Sequence, residues 1–263
     1  MKRPAPSAIA LKVTLLLAAF PLLFGHTHAS TVTLDSERDF AKITRDTPTH
    51  TIFLNCQTNS TKVTQSKASI LALPDGVNKS NHDFALVTGH GLINGHECNV
   101  RDFQGHKREV IGRVYAKNYQ SGTDTDWAII SFKPIKGQHI IRYKTEDYVR
   151  DKELLHNMDV SFAQARGLPQ NNQNCRLAVV NIPTPKNDRD IYSHDCVAVP
   201  GQSGSPITQN INGEDRLLGF HLGQVWTVKS PITKKPGNLY ILRPFDEDMS
   251  VEINQAITQL SKD

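Results

Sequence analysis

From about residue 44 to residue 245 the apolar residues of this chain come in short β-branched and aromatic runs broken by Gly, Pro, Asn and Asp. Thr51 to Leu54, Ala85 to Thr88, Val110 to Tyr115 and Trp127 to Ile130 lie in the first half. Val160 to Ala163, Leu177 to Val180, Arg216 to Phe220 and Leu239 to Leu242 follow in the second. Runs of this length with turn residues between them predict an all-β chain built as antiparallel barrels or a sandwich. Near the end the period changes. Met249, Ile253, Ala256, Ile257 and Leu260 fall at helical spacing behind Asp246, Glu247 and Asp248, acids placed where a helix dipole favours them. A helix over 246–263 is expected to lay this stripe on the second half of the chain. A second, short helix is expected over Asp35 to Ile43, starting near Ser36. The charged run from Glu146 to Glu153 reads as a solvated connection, so the expected units are 30–145, 146–245 and the terminal helix. No internal repeat is visible, and the amides Gln170 to Asn174 read as a polar turn.

The first 29 residues have a different character. Lys2 and Arg3 precede a mostly apolar run of 12 residues from Val13 to Phe24, too short for a bilayer, which needs about 20. Thr27-His28-Ala29 supplies small residues for cleavage before Ser30, so 1–29 reads as an export signal. The alternative is a membrane anchor. Composition matters here: of 30 Lys+Arg against 26 Asp+Glu, Lys2, Arg3 and Lys12 belong to this segment. The remainder is almost neutral, so the sequence pI of 8.8 gives no support for a nucleic-acid partner. A secreted or periplasmic monomer without stable membrane insertion is expected.

Export changes the meaning of the cysteines. In an oxidising compartment Cys56, Cys98, Cys175 and Cys196 should form two disulfides, for which three pairings exist. Cys56–Cys98 with Cys175–Cys196 is favoured because each bond stays within one half of the chain. A zinc site at His90, His96 and Cys98 is the rival use, but no Cys-x-x-Cys or His-Glu-x-x-His spacing supports it. No metal or cofactor is expected.

Gly201-Gln202-Ser203-Gly204-Ser205-Pro206 is the strongest chemical signal. Glycines on either side of a serine let the backbone turn so that the hydroxyl projects, and leave N–H groups to face an anionic oxygen. A serine hydroxyl needs a base. His90 ends the apolar run in Leu86-Val87-Thr88-Gly89-His90-Gly91, and Asp126 immediately precedes Trp127-Ala128-Ile129-Ile130. Each alone reads equally as a turn residue. As the ordered set His90, Asp126, Ser203 they gain weight.

These three segments resemble those of the chymotrypsin-like (trypsin-type) serine peptidases, in which the triad runs His, Asp, Ser. Val87-Thr88-Gly89-His90 is similar to the family's Thr-Ala-(Ala/Gly)-His, Asp126-Trp127-Ala128-Ile129-Ile130 to Asp-(Ile/Leu)-Ala-Leu-Leu, and Gly201 to Pro206 to Gly-Asp-Ser-Gly-Gly-Pro. The resemblance spans about residues 50 to 245. It implies two six-stranded antiparallel barrels with a C-terminal helix, and a serine endopeptidase acting on protein or peptide substrates with Ser203 as nucleophile. His90 would then be general base and acid, Asp126 its orienting partner, and the N–H groups of Gly201 and Ser203 the oxyanion hole.

Departures refine the expectation. Gln202 replaces the Asp that, in the animal enzymes, pairs with a freed N-terminus. Ser205, and His194-Asp195-Cys196 upstream, are more similar to the bacterial secreted branch that includes glutamyl endopeptidases. Gly219-Phe220-His221 resembles a segment whose histidine helps bind a substrate carboxylate there. A preference for acidic residues is the implied specificity, with Val197, Ala198, His221, Leu222 and Gly223 as substrate-binding residues. Leu222 to Gln224 would offer a strand edge to substrate backbone. Against it, Ala198 stands where those enzymes carry a hydroxyl, and Val197 brings no charge. Asp124 is a rival for the third triad position, and a catalytically silent binding or adhesion protein is the rival for the whole chain.

Overall fold

A computed structural model describes residues 51–57, 63–77, 81–92, 97–101, 106–135, 142–145, 158–162, 175–180, 191–196, 198, 200–212, 214–227 and 237–262. The expected signal segment, the helix at Asp35 to Ile43, the charged connection at 146–153, the amide-rich turn and Val197 lie outside the described residues.

Among the described residues twelve strands alternate with turns, and a helix follows the last of them. The first six are β1 (Thr51–Gln57), β2 (Val63–Leu71), β3 (Asp83–Val87), β4 (Glu97–Arg101), β5 (Lys107–Tyr115) and β6 (Ala128–Phe132). The second six are β7 (Asp159–Phe162), β8 (Cys175–Val180), β9 (Ile191–His194), β10 (Pro206–Ile211), β11 (Glu214–Thr227) and β12 (Gly237–Pro244), followed by α1 (Glu247–Leu260). Each set closes into an antiparallel barrel. The first runs β1-β2-β3-β6-β5-β4 and the second β7-β8-β9-β12-β11-β10, the same strand order twice. The amino-acid sequence carries no trace of this repeat, because a strand order is fixed by turn lengths and pairing rather than by residue identity.

Strands at the junction of the barrels are buried on both faces, which explains their unbroken apolar runs. Along β3, Ala85 and Val87 point into the first barrel with Ile52, Leu54 and Ile70. Phe84 and Leu86 point the other way, into a cluster shared with Leu217, Phe220, Leu222 and Ile241 of the second barrel. β6 repeats the division, with Ile130 and Phe132 inside and Ile129 outside. The second barrel has its own core around Phe162, Tyr192, Ile207 and Leu242. Among the described residues the apolar side chains thus form two clusters inside the barrels and one between them.

The terminal helix corrects one expectation. Asp246 is its N-cap, accepting the Met249 N–H at 2.8 Å, and the whole predicted stripe is buried. That stripe does not rest on the second barrel alone. α1 lies against β5 and β6 of the first barrel, Thr145 Oγ1 donates to Asn254 Oδ1 at 2.8 Å, and Met249 to Leu260 join the shared cluster. Sequence periodicity shows which helix face is apolar, but not which of two apolar surfaces receives it.

Both disulfides have the favoured pairing. Cys56 and Cys98 are cross-strand partners on β1 and β4. Cys175 on β8 holds Cys196, just beyond β9 and seven residues before Ser203. Among the described residues no helix is long and apolar enough to cross a membrane.

Candidate active site

β3 ends at Val87, and the chain turns sharply through a 3₁₀ turn over Gly89–Gly91 that carries His90. In the second barrel the corresponding β9–β10 connection carries Ser203. The repeated strand order thus places the histidine and the serine on equivalent loops of the two barrels. Asp126 comes from the β5–β6 connection, immediately before Trp127 and β6.

Two of these side chains, His90 and Asp126, meet. His90 Nδ1–H donates to Asp126 Oδ2 at 2.7 Å, and the His90 main-chain N–H donates to Oδ1 at 2.8 Å. Gly122 N–H adds a third bond, to Oδ2 at 2.7 Å, and the Asp126 carbonyl accepts from Gly89 N–H at 3.2 Å. Asp126 is fully buried and His90 nearly so. A buried carboxylate needs such partners, and three N–H donors supply them. With Nδ1 protonated, Nε2 is the acceptor nitrogen; it is buried and has no hydrogen-bond partner among the described residues. Asp124 does not reach His90 in this way. Its carbonyl accepts from Arg243 Nε at 2.9 Å.

Ser203 sits half-buried in a loop docked backbone to backbone on the first barrel. Its carbonyl accepts from Lys67 N–H of β2 at 2.8 Å. Gly204, at φ +85°, lies so close that a Cβ would stand 2.1 Å from the Lys67 carbonyl oxygen and 3.5 Å from Thr88 N. That contact brings the serine loop against the residue two positions before His90. On its other side the loop is tied to β11, with Gly204 N–H donating to the His221 carbonyl at 2.8 Å and His221 N–H to the Ser205 carbonyl at 2.9 Å. Gln202 is buried, and its carbonyl accepts from Ser205 N–H at 2.9 Å, closing the turn. Gly201 has φ +89°. Among the described residues neither the Gly201 nor the Ser203 N–H has an acceptor.

The substrate-binding set divides. His221 and Gly223 follow one another along β11 at a register shift, and beyond His221 the strand has a ladder partner only on its β12 side among the described residues. Leu222 turns its side chain into the cluster between the barrels, and Ala198 packs against the core of the second barrel. Neither side chain is presented as a recognition group.

Sequence reasoning missed four residues here. His194 Nε2 and His221 Nδ1 are 3.0 Å apart, with the rings of Phe162 and Tyr240 packed against them. Burial first, and then the neighbouring His90, push the His221 imidazole down to about 3; burial and His221 hold His194 well below the ordinary range. The pair is neutral at neutral pH. Lys67 is buried beside the serine loop with Nζ 5.9 Å from the Phe53 ring centroid, and burial pushes its ammonium down to about 7. Gly122 and Tyr119, in the loop before Asp126, complete the group. His194 and Lys67 gain their places from pairing across the fold, and Gly122 and Tyr119 from the bends of the loop that ends at Asp126.

The zinc alternative loses a ligand, because Cys98 is bonded to Cys56; His96 lies outside the described residues. No protein-family model matches this chain, and no curated protein matches it either.

Proposed function

We propose that this chain is an exported serine endopeptidase of the chymotrypsin-like kind, working without a metal or cofactor. One observation carries the reading. A histidine held at Nδ1 and at its main-chain N–H by one buried carboxylate keeps Nε2 unengaged, and the loop that carries a glycine-flanked serine docks on the backbone two residues before it. Two barrels of trypsin-like shape and two disulfides are consistent with it.

In this mechanism His90 Nε2 takes the Ser203 proton as the hydroxyl attacks a peptide carbonyl, then returns it to the leaving amine. Asp126 keeps the imidazole in the Nδ1–H tautomer and offsets the charge of the imidazolium. The unengaged N–H groups of Gly201 and Ser203 would receive the oxyanion; removing one such donor typically costs about 10²–10³ in rate. The unpaired edge of β11 at Gly223 would hold substrate backbone in extended form. His221 would select acidic side chains as a neutral donor of one N–H, since burial denies it a proton at neutral pH.

The test is fluorophosphonate labelling of the purified protein beside Ser203→Ala. Labelling that vanishes in the variant supports an activated serine, and a folded wild type that fails to label removes the peptidase reading. His221→Ala, screened on peptides, should weaken cleavage after acidic residues selectively; an unchanged preference removes the carboxylate role.

A further inference from the structure

Gly89 is a glycine for a reason its backbone does not supply. It sits in a right-handed 3₁₀ turn where any residue could stand, yet a Cβ there would lie 2.1 Å from Cε2 and 2.8 Å from Cδ2 of Tyr119. The tyrosine ring therefore rests on the bare Cα of the residue next to His90.

The loop that delivers this ring is built for the purpose. Lys117, Asn118, Gln120, Ser121 and Gly122 are exposed, while Tyr119 is half-buried and Asp126 at the loop's end is fully buried. Tyr119 N–H donates to the Ala116 carbonyl at 3.0 Å, and Thr125 Oγ1 ties the loop by accepting from Gln120 N–H at 3.2 Å and donating to the Asn118 carbonyl at 3.0 Å. Asn118 at φ 60° and Gly122 at φ 75° make the bends. The same loop reaches the carboxylate itself, Gly122 N–H donating to Asp126 Oδ2 at 2.7 Å, and burial, then the charge of Asp126, push the Tyr119 phenol above its ordinary range.

We propose that Tyr119 is a positioning residue for the His90–Asp126 pair: its ring, seated on Gly89, covers the carboxylate and keeps water from it. The proposal rests on the peptidase reading only for its kinetic consequences. Water at Asp126 would weaken the charge-assisted bond to Nδ1–H and lower the basicity of His90.

Four variants of the full chain test it: Gly89→Ala, Tyr119→Ala, the two combined, and Tyr119→Phe. Gly89→Ala should slow labelling of Ser203 by about 10²-fold through displacement of the histidine, and the double variant should recover most of that loss. Tyr119→Phe should behave as wild type, because the ring rather than the hydroxyl fills the space. Tyr119→Ala should move the acidic limb of the labelling profile to lower pH and broaden the low-field proton resonance of His90 Nδ1–H. A double variant no faster than Gly89→Ala, or an alanine variant keeping both limb and resonance, overturns the proposal. If no form labels, the peptidase reading fails while the resonance still decides: lost in Tyr119→Ala but kept in Tyr119→Phe supports the role, kept in both refutes it.

Discussion

The two oxygens of Asp126 hold His90 at two points, Oδ2 at 2.7 Å from Nδ1 and Oδ1 at 2.8 Å from the main-chain nitrogen. Ring and backbone of the histidine are thereby referred to one rigid carboxylate. Asp126→Asn should keep the fold but present an amide to Nδ1, favouring the tautomer that protonates Nε2. That nitrogen could then no longer accept the serine proton, and kcat should fall by about 10⁴-fold. Asp124→Asn should leave kcat close to wild type, since the carboxylate that holds His90 is that of Asp126. Steady-state kinetics on both variants decides, and a larger loss in Asp124→Asn would reverse the assignment.

The glycines around Ser203 predict unequal costs. Gly204→Ala would drive a Cβ to 2.1 Å from the Lys67 carbonyl oxygen, forcing the serine loop off β2. Gly201→Ala meets nothing nearer than the Gln65 carbonyl oxygen at 3.7 Å, so its cost is the strain of φ +89°, about 1–3 kcal/mol. Both should fold, with Gly204→Ala losing most of its labelling and Gly201→Ala considerably less. Equal losses would mean that loop docking does not set the position of Ser203.

This contrast also marks how far the sequence could be read. Short apolar runs give the strands, helical spacing gives α1, and the triad candidates stand out because His90 and Asp126 lie at the ends of apolar runs and Ser203 lies between glycines. A glycine's need for positive φ is suggested by a Gly-Gln-Ser-Gly loop, but the tight packing of Gly204 on Lys67 is a tertiary fact that no spacing reveals. The same holds for Gly89 under Tyr119, thirty residues apart, and for His194 beside His221. Helical spacing likewise leaves open what receives the α1 stripe, because the apolar surface it covers exists only once both barrels meet.

The disulfides should separate stability from activity. By loop-closure entropy, the 42-residue separation of Cys56–Cys98 is worth about 4 kcal/mol and the 21-residue separation of Cys175–Cys196 about 3 kcal/mol. Replacing the first pair by alanine should cost the greater stability and leave labelling of the folded protein intact. Replacing the second removes the bond that anchors position 196 on the approach to the serine loop, and should slow labelling even where the protein remains folded. Thermal melts with labelling below the transition test both, and the reverse ranking of activity losses would refute the anchoring role.

Acid should unfold this protein through its histidine pair. The His221 imidazole titrates at about 3 in the folded chain against an ordinary 6.5, and His194 is lowered as well, both chiefly by burial. Below pH 6.5 the unfolded chain therefore binds protons that the native state refuses, so stability falls with pH and continues to fall toward about 3. Carboxylates contribute little between pH 6.5 and 5, which isolates the histidines in that window. The melting temperature should drop across it in the wild type and drop less steeply in His221→Asn, a substitution that keeps a hydrogen-bonding group beside His194. A wild-type melting temperature flat from pH 6.5 to 5, or a slope untouched by the substitution, would show that the pair is not what limits stability in acid.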